Sequence, residues 1–248
     1  MPRAILFENV AVFGQKRGRR HRARLRSELS VGYDLYPHVY NCADYGMAQS
    51  RQRFVMVGIR KDQGVAFRIP PPLDLKVTVG RVLGGLPEPP VDCSVHPEIP
   101  NHQRARVSAL NVERFSYVPQ GGGWRDIPPD LRLPCHRRAD GASGGWPDVY
   151  GRLEWDGQCP TITGGFDSFS RGRFGHPLVD RPLTAREAAR LQGFDDDFEF
   201  LGTRVDWRRQ IGNVVPPPLA RAIGREVLAS LALSESPEAS DVRGGAPA

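Results

Sequence analysis

The sequence predicts an α/β fold interrupted by an irregular, loop-rich module. Three observations carry this expectation. Strand and helix patterns alternate over residues 1–65. Proline and glycine crowd residues 66–178. Amphipathic helices with clear start and stop signals occupy residues 179–231. At the front, Ala4–Phe7 of "AILFENV" reads as a buried strand, followed at once by Glu8. A carboxylate at a strand end is where open α/β sheets keep their chemistry. "HRARLRSEL" (His21–Leu29) reads as an arginine-studded helix closed near Gly32. "YPHVYNCADYGMAQSRQRFVMVGIR" then reads as strand, loop, strand, with Phe54–Ile59 as the second apolar run.

The middle of the chain changes texture. "RIPPPLDLKV", "GGLPEPPVDC", "YVPQGGGWRDIPPD" and "GASGGWPDVYGR" leave room only for short strands between turns. Trp124, Trp146, Tyr150 and Trp155 need packing partners, so this module is folded and is not a linker. Cys93, His96, His102, Cys135 and His136 also fall here. Cys-x-x-His spacing suits zinc, yet no second well-spaced pair follows, and no metal site is expected. Order returns at "RPLTAREAARLQGF". Thr184 and Glu187 form a capping box, and Gly193 suits the left-handed position that ends a helix. In the last helix, started by Pro218, Leu219, Ile223, Val227 and Leu231 share one face, opposite Arg221 and Arg225. Residues 232–248 read as a disordered tail.

The 248 residues are 40% hydrophobic, with a net charge of +6 and a pI near 9.4. That balance suits a polyanionic partner. Of the 34 basic residues all but Lys16, Lys61 and Lys76 are arginine, and the first 60 residues hold eleven basic against four acidic side chains. Within "KRGRRHRARLR", Arg17, Arg19 and Arg20 read equally as a solvated helix face or as phosphate contacts. No apolar run reaches the roughly 18–20 residues of a membrane span, and the N-terminus lacks a signal-peptide pattern. Four scattered cysteines without a Cys-x-x-Cys pair fit a reduced, cytoplasmic protein.

Four blocks occur in order: "ENV" (8–10), "ADYGMAQSRQR" (43–53), "RPLTAREAARLQGF" (181–194) and "QIGNVVPPPLARAIG" (210–224). Together they resemble the later motifs of bacterial DNA (cytosine-5)-methyltransferases. Residues 144–177 resemble that family's target-recognition domain, and the likeness runs from residue 4 to about 230. It implies a partial doubly wound sheet of the S-adenosylmethionine-dependent type (1–65), an inserted β and loop-rich recognition domain (66–178), and helices returning to the catalytic domain (179–231).

The resemblance also implies chemistry. A cysteine thiolate attacks carbon 6 of a flipped cytosine, which then takes a methyl group from S-adenosylmethionine at carbon 5. Glu8 matches the carboxylate at ring N3 and the exocyclic amine. Arg53 matches the arginine at O2, with Arg51 in support; the spacing of the two arginines puts them on one strand face. Asn213, Val214 and Val215 match the segment closing over the methyl donor. In the recognition region, Thr161 or Thr163 suits the threonine that holds the flipped nucleotide's phosphate, and Gln49 is grouped with the DNA contacts.

The family's glycine-rich cofactor loop and its Pro-Cys-Gln nucleophile loop both belong ahead of Glu8, and neither is in this sequence. Its one Pro-Cys pair, Pro134-Cys135, is followed by His136 inside the recognition region. The expectation is therefore a C-terminal part or split subunit acting with an N-terminal half on double-stranded DNA, with a companion restriction endonuclease possible. Rival readings are a DNA-binding specificity module without catalysis and a decayed gene product.

Overall fold

The computed structural model describes residues 1–137 and 148–235. The expectations for Trp146 and for residues 236–248 lie outside them. Two compact units emerge: residues 1–45, 52–74 and 218 onward form the first, and residues 46–51 with 75–217 form the second.

In the first unit, β1 (Ala4–Val10), β2 (Tyr33–Asn41) and β3 (Gln52–Arg60) form a sheet of order β1-β3-β2. Both pairings with β3 are antiparallel, with Val10 opposite Arg53 and Tyr36 opposite Val57. β1 and β2 therefore run parallel to each other, joined by helix α1 (Arg19–Leu29), with β3 threaded between them. The central strand is the buried one: Val55, Met56, Val57 and Ile59 are its core. Gly58 sits where a Cβ would come within 2.7 Å of Ile5, with Leu35 crowding the other side, so the centre of the sheet admits no side chain there. Contrary to expectation, β1 is a half-exposed edge and not a buried strand, with Leu6 53% accessible. It has one strand partner among the described residues, so only one edge of it is covered. After β1 a 3-10 turn (Ala11–Gly14) brings Phe13 against Phe7 and Phe54, with ring centroids 5.2 and 5.3 Å apart.

The last helix closes this unit. This helix, α7, begins at Pro217, one residue earlier than expected, and runs to Leu233. Leu219 and Ile223 are fully buried while Arg221 and Arg225 face solvent, as the periodicity predicts. Arg3 ties the two ends of the unit together, donating to Gln63 at 2.6 Å, Ser234 at 2.9 Å and the Leu231 carbonyl at 3.1 Å.

The second unit holds α2 (Val79–Leu83), α3 (Ala109–Ser116), α4 (Pro134–Arg137), α5 (Ala185–Leu191) and α6 (Arg204–Asn213). Its main core gathers Leu153, Ile162, Phe166, Leu183, Leu191 and Ile211. A smaller core packs Trp124 with Phe115, Ile127, Tyr150 and Phe169. The expected β content is absent among the described residues: single bridges such as Arg152 with Gly175 replace strands. Proline lacks the N–H that a ladder needs, and this region is dense in it. The contacts also gather α5 and α6 into this unit, so of the expected returning helices only α7 joins the first. The reason is burial: Ala188, Ala189, Leu191 and Ile211 all face this unit's core.

The capping box at α5 forms as expected. The Thr184 hydroxyl accepts from the Glu187 amide, and the Glu187 carboxylate takes the Thr184 amide at 2.8 Å. Gly193, at φ 85°, supplies the left-handed stop.

Candidate functional site

In the first unit the sheet register brings Glu8 and Arg53 together. Glu8 lies opposite Val55 and Val10 opposite Arg53, so Glu8 and Arg53 are diagonal neighbours on one face of an antiparallel pair. Arg53 Nε stands 3.0 Å from the Glu8 carboxylate, and the two side chains are only 11% and 25% exposed. Burial pulls the Arg53 guanidinium below its usual value, opposed by Glu8 and by the Cys42 thiol. Its Nη1 also donates to the Gln52 carbonyl at 2.8 Å. The result is a half-sheltered acid and a fixed planar donor side by side. A ring nitrogen and a neighbouring carbonyl oxygen of a heterocycle need that pairing.

Arg51 has a different place. It precedes β3, belongs to the second unit and is fully buried, so the shared strand face expected from its spacing does not exist. Its Nη1 donates to the Ile162 carbonyl at 2.7 Å, and its Nη2 to the Gly212 and Val214 carbonyls at 2.9 Å each. It ties the Thr161–Thr163 segment to the end of α6. Gln49, expected at the DNA, is also fully buried and is corrected to an interior strut. Its Nε2 donates to the Leu191 carbonyl and to Gln192, and its Oε1 accepts from the Ile162 amide at 2.9 Å. Both of its N–H donors are taken and the carboxamide is closed to solvent.

Thr161 and Thr163 line a cleft of about 520 Å³ in the second unit, with Ser170, Arg171, Arg173 and Phe174 among its walls. Thr161 is half-buried and donates to the Ser50 carbonyl at 3.2 Å, whereas Thr163 is exposed. The sequence reading missed Ser170, Arg171 and Arg173. "SFSRGRFGHP" held them in view, but nothing in its pattern separates a cleft wall from any polar loop. Arg17, Arg19 and Arg20 belong to the first unit, where all three are exposed. Neighbouring Arg22 is spent on the Phe13 and Gln15 carbonyls, and Arg24 on Glu28.

Asn213 ends α6, exposed, with no side-chain hydrogen bond among the described residues. Val214 follows in extended conformation at φ −67°, ψ 148°. The exposed carboxamide thus keeps both its donors and its acceptor open beside extended backbone.

Two of the four cysteines are closed off by burial. Cys159 is fully buried and its thiol is pushed far up by desolvation, opposite to what thiolate chemistry requires. Cys42 is fully buried as well. Cys135 is exposed on the four-residue helix α4. Its neighbour His136 is stacked on Trp124 at 5.0 Å. His102 is held by Thr184 at 2.9 Å and the Pro87 carbonyl at 2.7 Å. Among the described residues no three potential ligands gather around a metal position. No helix among them is long and apolar enough to cross a membrane.

A profile of the family described as C-5 cytosine-specific DNA methylase matches residues 1–229. Type II methylase M.HgiDII of Herpetosiphon aurantiacus is 37% identical over 235 residues, which cover 91% of this chain and 64% of the relative. Type II methyltransferase M.BbvI of Brevibacillus brevis is 38% identical over 217 residues, covering 86% and 54%. The chain thus spans between about half and two thirds of the length of these relatives. Among solved structures, one described as a DNA modification methyltransferase encoded within an E. coli prophage superposes with a TM-score of 0.68. It is 25% identical, over 93% of this chain and 70% of that one.

Proposed function

Because the chain belongs to the C-5 cytosine-specific DNA methylase family, we propose that it supplies the base-binding acid, the recognition module and part of the donor site of a DNA cytosine methyltransferase. Members of this family take the transferred methyl group from S-adenosylmethionine. The observation that carries the reading is the Glu8–Arg53 pair at 3.0 Å. On entry of a flipped cytosine, Arg53 turns from Glu8 to the ring O2, and Glu8 meets N3 and the exocyclic amine. Attack of a thiolate at carbon 6 drives electron density toward N3. A proton held there by Glu8 and a guanidinium at O2 stabilise that charge. Asn213 and the Val214–Val215 backbone bind the methyl donor. Thr161 and Thr163, in their cleft, hold the phosphate next to the extruded nucleotide.

The attacking thiolate comes from outside these 248 residues, in a partner or preceding segment that also brings the glycine-rich cofactor loop. The inaccessible Cys42 and Cys159 support this division. The chain alone is expected not to methylate DNA. The names of its relatives favour service in a Type II restriction-modification system with a companion endonuclease. The test is to purify the chain, add a polypeptide carrying the two missing loops, and follow radiolabelled methyl transfer to duplex DNA. Transfer only from the mixture supports the reading. Transfer by the chain alone returns attention to Cys135. DNA binding without transfer under any mixing favours the rival reading of a specificity module.

A further inference from the structure

The second unit carries a basic cleft that the assignments above leave unused. Arg204 and Arg208 lie one turn apart on α6, whose start is fixed by a capping box between Thr203 and Asp206. Both reach Asp167: Arg204 Nη2 stands 3.1 Å and Arg208 Nη1 3.2 Å from its oxygens, and its side chain is only 10% exposed. Arg106 and Arg171 face the same cleft of about 390 Å³. These two are exposed, and neither has a side-chain hydrogen bond or ion pair among the described residues.

One carboxylate does not balance the charge of this arrangement. Four guanidiniums surround one carboxylate, a formal excess of three positive charges, and like charges at i, i+4 on a helix cost stability. Asp167 offsets part of this while setting the planes of two guanidiniums. Nε of Arg204, and Nε and Nη2 of Arg208, remain without acceptors among the described residues. Guanidiniums held in plane with free donors match phosphate oxygens. Arg171 also lines the larger cleft that holds Thr161 and Thr163, so the two clefts meet at that side chain.

We propose that Arg106, Arg171, Arg204 and Arg208 form a second phosphate-contact zone that grips the DNA backbone flanking the target nucleotide, with Asp167 as its positioning residue. The inference rests on the reading of the protein as a DNA methyltransferase component. It adds a backbone-clamping surface built on α6. Such contacts set register and carry no sequence information.

The test is binding of a labelled duplex to the full chain across a salt series, with melting curves as a fold control. Each lost phosphate contact flattens the slope of log K against log salt by about 0.9. Arg204→Gln with Arg208→Gln should flatten it by about 1–2 and weaken specific and non-specific duplexes alike. Arg221→Gln with Arg225→Gln removes the same charge from α7 and should leave the slope unchanged. Asp167→Asn adds a positive charge yet should weaken binding, because two guanidiniums lose their alignment; tighter binding would overturn its positioning role. A wild-type slope in the Arg204/Arg208 variant, or an equal loss in the Arg221/Arg225 control, overturns the proposal. Failure of the underlying reading shows elsewhere, as no methyl transfer from mixed halves while wild-type chain still binds duplex with the full slope.

Discussion

Replacing Arg51 by methionine tests whether this buried guanidinium is a strut or a surface charge. The side chain is fully buried and donates to three main-chain carbonyls at 2.7, 2.9 and 2.9 Å. A hydrogen bond to a charged donor contributes about 1.5–3 kcal/mol, so three sum to roughly 5–9 kcal/mol gross. Methionine also relieves the desolvation of a buried charge, several kcal/mol in the opposite sense. The carbonyls left behind recover part of their bonding as the segment relaxes. A net loss of about 3 kcal/mol results, a large fraction of the 5–15 kcal/mol that typically separates folded from unfolded. For a chain of this size that is a drop of about 6–12 °C in melting temperature. Arg51→Lys keeps the charge, but one ammonium does not span the two carbonyls at the end of α6 and the one at Ile162, so it should recover less than half. Differential scanning calorimetry reads both variants. A melting shift under about 2 °C for Arg51→Met would refute the strut. Because Val214 is one of the three acceptors, the same variant in a reconstituted enzyme should raise KM for S-adenosylmethionine more than it lowers kcat.

Three further outcomes follow from the same geometry. Glu8→Gln should lower methyl transfer by reconstituted enzyme by about 10²–10⁴-fold, with a melting temperature within a few degrees of wild type; transfer at the wild-type rate would remove Glu8 from the mechanism. Gly212→Ala places a Cβ 2.4 Å from the Gly164 nitrogen and 2.8 Å from the Thr163 carbonyl carbon. Backbone does not yield as a side chain does, so about 1–3 kcal/mol of stability should be lost, with weaker DNA binding as Thr163 shifts; a neutral result in urea unfolding would contradict the packing. Stability of the second unit should fall in acid. Burial holds His102 and His176 below the ordinary 6.5, so the unfolded chain takes those protons first and stability declines once pH drops below about 6.5. Burial alone would raise Glu187, but Arg181 and His176 hold it below 4.5, adding a second loss as pH falls through its folded value. A urea midpoint constant from pH 8 to 5 would overturn the histidine half of this prediction.

What the sequence revealed depended on how local the signal was. The Thr184–Glu187 capping box spans four residues and stands in the structure as read; the apolar face of α7 repeats at helical spacing, with Leu219 and Ile223 buried and Val227 and Leu231 part-buried. Glu8 was expected just past a strand ending at Phe7; the strand runs on to Val10, so Glu8 lies within it, and its meeting with Arg53 follows from the register. The irregular module hid its architecture. Short apolar stretches between prolines read as strands, but the chain settles into single bridges and side-chain-to-carbonyl bonds. Arg152 gives the pattern: its guanidinium reaches the Phe115, Val118, His176 and Val179 carbonyls, a set scattered over 64 residues and invisible to any periodic count. The arginine excess is partly this: guanidinium forks replace the missing ladder by satisfying carbonyls that no strand partner reaches.

Arg51 and Arg53 show why that distinction decides function. Alternation along a strand makes them equivalent, and a two-residue step within a strand would place both in one site. The strand begins at Gln52, however, and the boundary between the two units falls at the same point. One guanidinium is thereby closed into the interior of the second unit with its donors on carbonyls. The other stays on the sheet face of the first, 3.0 Å from a carboxylate and 11% exposed. Only the second pairs with a side chain that is itself part-exposed, and that is the contact the proposed function asks an incoming base to replace. An arginine committed to three main-chain carbonyls holds segments in place, whereas an arginine paired to a side-chain carboxylate has a partner that is not part of the main-chain framework. Under the proposed function the chemistry falls to Arg53 with Glu8, while Arg51 joins the Thr161–Thr163 segment to the end of α6 through the Ile162, Gly212 and Val214 carbonyls.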